Sequence, residues 1–311
     1  MIILLVMNKE IILKSIYNNP IRIAVEGNIR TIFESQNIIN RALLYTLCLD
    51  KELEPTLEYN KRMRPFLIWL SSNAAWLEQS DIFWKLATVV ELIHQSTLPA
   101  DDIQDNSEIR CWRQALWKRF WNNTTIDIIL LLAASGPTYY SKILREDKDW
   151  RLHNYSDFLQ KTLINLVRWQ ELDLSANDSK RSIDDYFEIV DWKTWALINL
   201  SLHFWTMPYE YLYNQEKSEE LSKFSMLFAR LYQIMDDIKD VKDIDNGVKW
   251  VKLDPSNIYY YVNHDNEKLD DLYWKLRNQL AETYNKLKEL WIVKTDEILD
   301  VIKVLIPKKI V

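Results

Sequence analysis

The sequence predicts an all-α fold, a bundle of about ten or more helices, and three observations carry that prediction. Only three glycines, Gly27, Gly136 and Gly247, occur in 311 residues, and with eight prolines they leave few of the tight turns that join strands. Apolar residues recur at three- and four-residue steps in the long segments, the period of a helix with one buried face. Punctuation between those segments is polar and short, with no repeat of fixed period and no low-complexity tract.

The elements follow in order. The opening MIILLVM has no basic residue ahead of its apolar run and continues at once into Asn8, Lys9 and Glu10. It is too short for a signal sequence or a membrane span and reads as an apolar first turn that docks on the body of the protein or on a partner. Connections are expected near Asn18–Pro20 and Asp50–Pro55. After them comes Lys61-Arg62-Met63-Arg64-Pro65, where Lys61 and Arg64 at i, i+3 present two cations on one helix face. That pair either clamps a diphosphate without metal or forms a solvated basic turn. Phe83, Leu86, Ala87, Val90 and Ile93 make a core stripe, and Pro99 beyond it is expected to bend or interrupt the helix. Further connections fall near Arg145–Trp150 and Ala176–Ser182. Ser182 with Asp185 opens the next helix with a cap. Leu221, Phe224, Phe228, Leu231 and Met235 make a second core stripe, followed by connections at Asp240–Asn257 and His264–Asp271. Asp254-Pro255 reads as N-cap and first helical residue. No break in composition divides the chain, so residues 1–311 are expected to form one domain.

Composition bounds the function. Hydrophobic content of 48% with 27% charged residues is globular. A net charge of −6 argues against nucleic acid or an anionic membrane surface as partner. Cys48 and Cys111 cannot build a disulfide framework, which fits a reducing, cytoplasmic setting. With so little glycine the chain has no Gly-rich phosphate loop or dinucleotide fingerprint, so any phosphate must be held by metals and basic side chains.

One acidic pattern occurs twice, as Asp101-Asp102-Ile103-Gln104-Asp105 and Asp236-Asp237-Ile238-Lys239-Asp240. On a helix the first and last carboxylates of each copy are separated by about 40° and roughly 6 Å, so they share a face. Like charges there repel, and a divalent cation relieves them; Mg²⁺ takes hard oxygens and bridges one or two carboxylates to phosphates. A solvated face in an Asp-rich chain is the plainer alternative. Around these motifs stand His94, seven residues before Asp101, then Arg110, Lys193-Thr194 and Gln233.

The chain resembles the trans-isoprenyl diphosphate synthases, the polyprenyl synthetase family, over nearly its whole length. The resemblance lies in Lys61-Arg62-Met63-Arg64-Pro65, Glu91-Leu92-Ile93-His94 leading to the first acidic motif, Gln170 with Asp173, Lys193-Thr194, and Gln233-Ile234-Met235 leading to the second. It implies an isoprenoid synthase-type bundle around a deep central cavity with the acidic motifs facing each other across its mouth. It also implies Mg²⁺, three ions with bound diphosphate, held directly by Asp101, Asp105 and Asp236 and directly or one step removed by Asp102, Asp237 and Asp240. By the same resemblance Arg110, Lys193 and Lys249 hold the allylic diphosphate, and Lys61, Arg64 and His94 hold isopentenyl diphosphate. Gln170 belongs to the substrate site, while Thr194 and Gln233 point dipoles at the carbocation. A homodimer is implied as well.

The departures concentrate on one substrate. Where the family has a second Arg after the position of Arg110, this chain has Cys111. The segment from Trp112 to Leu132 keeps Arg113 and Trp117-Lys118 without the usual glycines, and Val248-Lys249-Trp250 stands where a Gly-Lys element is usual. Ionisation of an allylic prenyl diphosphate is therefore expected, with condensation onto isopentenyl diphosphate as the leading reading. A class I terpene synthase, a transferase to another acceptor, and a non-catalytic partner subunit are the alternatives. In the family the residues four and five positions before the first motif floor the cavity; here they are the small Thr97 and Ser96, which favours a C20 or longer product.

Overall fold

The computed structural model describes residues 19–35, 40–49, 62–74, 81–110, 113–146, 151–175, 182–206, 214–245, 256–290, 292, 301–303 and 305–306. Among them are eleven α-helices, one π-helical turn and a single pair of two-residue strands, which bears out the all-α expectation. Contacts divide the chain into two compact units, Met1–Asn73 with Leu77–Asn154, and Ala74–Trp76 with Tyr155–Val311.

In the first unit, α1 (Pro20–Glu34) starts where the sequence breaks: Asn19 caps it by accepting from the Ile21 N–H, and Pro20 occupies a first-turn position where no N–H is needed. Its buried face, Ile21, Val25, Ile29 and Phe33, follows the four-residue step of a helix. Then come α2 (Arg41–Thr46), capped by Asn40, and α3 (Met63–Ala74). The axis of this unit is α4 (Asp81–Gln104), on which every member of the first apolar stripe is buried. Of the two outcomes expected at Pro99, interruption does not occur: α4 runs on through it. The ring is itself buried, and contacts along both sides of a 24-residue helix outweigh one lost backbone bond.

α4 ends in a Schellman motif. Asn106 takes the left-handed conformation (φ 51°), its N–H donates to the Ile103 carbonyl, and the Ser107 N–H donates to the Asp102 carbonyl at 2.9 Å. Strands β1 (Ile109–Arg110) and β2 (Arg113–Gln114) pair antiparallel just beyond. α5 (Leu116–Glu146) lies along α4 and is kinked at Trp121, whose φ of 71° breaks the helix. Gly136 lets the two helices approach closely, because a Cβ there would stand 2.8 Å from Ile93 Cγ1 and 3.3 Å from the Val89 carbonyl.

The second unit holds most of α6 (Arg151–Ser175), then α7 (Ile183–Val190), the π-turn Asp191–Trp195, α8 (Ala196–Thr206), α9 (Gln215–Asp245), α10 (Ile258–Tyr261) and α11 (Asn266–Glu289). Ser182 and Asp185 form the expected capping box. α9 is the spine, touching the π-turn and α7, α8, α10 and α11. Leu221, Phe224, Phe228 and Leu231 are buried along it, while Met235 is half-buried.

Two expected connections are shorter than the sequence suggested. α9 continues through the polar run past Asp240 to Asp245, and α11 begins at Asn266 with Asp265 as its cap. Polarity alone does not distinguish a loop from a solvated helix. The expected cap at Asp254-Pro255 lies outside the described residues, and no described helix is long and apolar enough to cross a membrane.

Candidate active site

The basic cluster of the first unit begins with Arg62. It sits in the left-handed region (φ 48°) with its side chain 1% exposed, and its guanidinium meets Glu91 Oε1 at 2.6 Å, the Leu47 carbonyl at 2.9 Å and Glu26 Oε1 at 3.4 Å. Burial works against its charge, but Glu91 and Glu26 outweigh it and raise the pKa. This ionic anchor fixes the start of α3, so Arg64 two residues on reaches α4, where Nη1 donates to His94 Nε2 at 2.7 Å. An arginine can only donate, so Nε2 accepts and the neutral ring carries its proton on Nδ1. Nδ1 is buried with no hydrogen-bond partner among the described residues. Burial, then the charges of Arg64, Arg110 and Arg62, hold the His94 pKa well below its usual value.

The first acidic motif closes α4. Asp102 points inward, almost fully buried, and accepts from Arg110 Nε at 2.8 Å. Burial raises its pKa, with Arg110 opposing. Asp101 is half-buried and Asp105 exposed. Three carboxylates thus gather at a helix C-terminus, where the macrodipole is also negative, an arrangement that cations stabilise.

The second motif divides in the same way. Asp237 is buried among donors: Tyr186 Oη at 2.9 Å, Gln233 Nε2 at 2.9 Å and the Ile258 N–H at 2.8 Å, while Asn257 Nδ2 donates to its backbone carbonyl at 3.0 Å. Burial pushes its carboxyl up to about 7, although the Gln233, Ile258 and Tyr186 bonds oppose that. Gln233 also accepts from Thr194 Oγ1 at 2.9 Å, so one amide links the π-turn to the acidic motif. A cleft within this unit is lined by Lys193, Thr194, Gln233, Asp237, Asp240 and Tyr186, and Asp236 is exposed on the neighbouring surface.

These residues fit Mg²⁺ in a particular manner. Among the described residues no three His, Cys, Asp or Glu side chains converge to cage an ion. Mg²⁺ does not need a cage, since it keeps waters and shares substrate phosphates through one or two carboxylates. Asp101 with Asp105, and Asp236 with Asp240, present hard oxygens at the surface or in the cleft. Asp102 is bonded to Arg110, and Asp237 to the Tyr186 network.

The structure therefore brings together Arg64, His94 and Arg110 around the first motif, and Lys193, Thr194 and Gln233 beside the second. Lys61, Cys111 and Lys249 lie outside the described residues, as do the side chains of Gln170 and Asp173. Sequence reading gave no role to Arg62, Glu91, Tyr186 or Asn257. Arg62 and Glu91 stood in plain view within the motifs, whereas Tyr186 and Asn257 carry no local signal and matter only because the fold delivers them to Asp237.

The chain is similar to known proteins in sequence and in fold. The family model described as polyprenyl synthetase matches residues 49–248. A short chain isoprenyl diphosphate synthase of Methanocaldococcus jannaschii is 27% identical over 183 residues, 58% of this chain and 54% of that one. A geranylgeranyl diphosphate synthase of Methanosarcina mazei is 27% identical over 187 residues, 58% of this chain and 55% of that one. The match thus spans little more than half the length of these relatives. Sesterfisherol synthase of Neosartorya fischeri is 29% identical over 170 residues, 54% of this chain and 21% of that one. In fold, a crystal structure of a geranyltransferase from Legionella pneumophila superposes with a TM-score of 0.70 at 19% identity, covering 96% of this chain and 97% of the other. With the matched segment reaching from the basic cluster through both acidic motifs, the chain belongs to the polyprenyl synthetase family.

Proposed function

We propose that this protein is a trans-prenyltransferase that ionises an allylic prenyl diphosphate and joins it to isopentenyl diphosphate, giving a C20 or longer diphosphate. The observation that carries the elongating reading is the cluster around His94. Arg64 is bonded to His94 at 2.7 Å, burial and then the charges of Arg64, Arg110 and Arg62 lower the pKa of the ring, and among the described residues its buried Nδ1–H has no acceptor. A neutral donor among guanidinium groups suits a second diphosphate.

In this reading the allylic C–O bond breaks with its electron pair leaving on pyrophosphate. The isopentenyl double bond attacks the carbocation, and the proton then lost goes to pyrophosphate. Asp101, Asp105, Asp236 and Asp240 would hold Mg²⁺, which when bound neutralises the charge of the departing group. Lys193 and Arg110, with Lys249, hold the allylic diphosphate. Arg64 and His94, with Lys61, hold isopentenyl diphosphate. Thr194 and Gln233 turn fixed dipoles toward the developing cation, a stabilisation that needs no reorganisation during the reaction.

Cys111 favours a second reading, a terpene synthase or a transferase to another acceptor, because a cation expected on the isopentenyl side is replaced. Incubating purified protein and Mg²⁺ with C10, C15 and C20 allylic diphosphates, each with and without isopentenyl diphosphate, separates the two. Longer diphosphates are expected. Hydrocarbons or alcohols formed without isopentenyl diphosphate would establish the second reading, and an absence of turnover with every substrate would overturn both.

A further inference from the structure

One face of α9 carries a polar seam with a member that neither the acidic motif nor the cleft explains. Arg230, Gln233 and Asp237 are spaced three and four residues apart, so they share that face. Each reaches the stretch from α7 to the π-turn: Asp237 to Tyr186, Gln233 to Thr194 and Arg230 to Asp191. Arg230 Nε donates to Asp191 Oδ1 at 2.8 Å and Nη2 to Oδ2 at 2.5 Å, with the guanidinium 4.5 Å from the centre of the Phe187 ring. The two side chains are 20% and 19% exposed. A fork of this kind fixes both distance and plane, which a single point charge does not.

Asp191 is the first residue of the π-turn, and Trp195, its last, is also tied to α9, through Nε1 donating to Ser225 Oγ at 2.7 Å. The bulge is thus pinned at both ends to one helix, with Lys193 and Thr194 between the pins. A π-turn is a rare local departure from α geometry and persists where tertiary contacts hold it. A slip of one residue would rotate every side chain by about 100°. Thr194 would leave Gln233 and Lys193 would leave the cleft.

We propose that Arg230 and Asp191 are positioning residues whose fork holds the π-turn in the register that presents Lys193 and Thr194 to the allylic diphosphate. What the cleft binds rests on the function proposed above; the positioning itself does not.

Two measurements on Arg230→Met, Arg230→Lys and Asp191→Asn test it. Amide hydrogen exchange across residues 192–196 is expected to quicken at least about tenfold in all three while the remainder of α7 and α8 is unchanged. Exchange at the wild-type rate would overturn the proposal. In kinetics, kcat should fall about ten- to a hundredfold with the KM for isopentenyl diphosphate unchanged, since small misplacements of catalytic groups cost that much. Combining Asp191→Asn with Arg230→Met should cost no more than either alone, because the two act as a unit. Additive losses, or a lower Tm with kcat intact, would assign the pair to stability and overturn the proposal. If wild-type protein makes no product, the functional reading fails while the exchange result still decides this one.

Discussion

Arg110 shows how one residue serves both charge signs of this site: its Nε holds the buried Asp102 while its charge helps keep His94 neutral. The next residue is where a further cation is missing. Restoring it as Cys111→Arg is expected to tighten isopentenyl diphosphate roughly ten- to a hundredfold and leave the allylic substrate nearly untouched. Steady-state KM values for both substrates check this, and a correctly folded variant with no gain would favour the terpene synthase reading. His203 belongs to stability instead. It is buried on α8, its Nδ1 donates to the Asn199 carbonyl at 2.9 Å, and its ring lies 5.0 Å from Phe158; burial lowers its pKa to about 4. The unfolded imidazole takes a proton near 6.5, so this contribution is complete above that pH and is lost as pH falls toward 4. The shift corresponds to about 3 kcal/mol. Urea denaturation at pH 4.5 and 7.5 should show a smaller pH effect in His203→Gln than in the wild type.

At the scale of elements, the crossing of α4 and α5 is set by an absence of side chain. Gly136→Ala must displace Ile93 or the α4 backbone, and overpacking of that kind costs about 1–3 kcal/mol, partly offset by the better helix propensity of Ala. A net loss of about 1 kcal/mol is expected in chemical denaturation. Gly27→Ala is the control: it lies on the exposed face of α1 with nothing within 4 Å of the added Cβ, and should stabilise by about 0.5–1 kcal/mol. The same α4 that packs so tightly against α5 ends in the first acidic motif. Its rigidity therefore sets where Asp101 and Asp105 stand.

For the whole molecule we propose a symmetric dimer. Ile126 and Leu130, one turn apart on α5, are 48% and 62% exposed, an apolar face near the middle of the chain. A symmetric dimer that covers it follows the family resemblance and the commonest mode of self-association. Light scattering should give twice 37.4 kDa, and Leu130→Glu should shift the mass toward the monomer. A monomer at high concentration in the wild type would remove the proposal.

The sequence by itself determined the helical class, both core stripes apart from Met235, the Ser182 capping box and the spacing of the two acidic motifs. All of these rest on periodicity, scarce glycine and short-range spacing, which are properties of neighbouring residues. It left open whether Pro99 bends or interrupts its helix, because a local penalty says nothing of the contacts along the rest of a long helix. It misjudged the stretch after Asp240 because solvated helix and loop share a composition. Tertiary structure alone decided which aspartate of each motif turns inward, since that depends on Arg110 in one unit and on Tyr186, Asn257 and the Ile258 N–H in the other. The π-turn beneath Lys193 and Thr194 was decided in the same way. Its pins, Arg230 and Ser225, lie 39 and 30 residues from their partners, and no spacing rule that acts within a helix reaches that far.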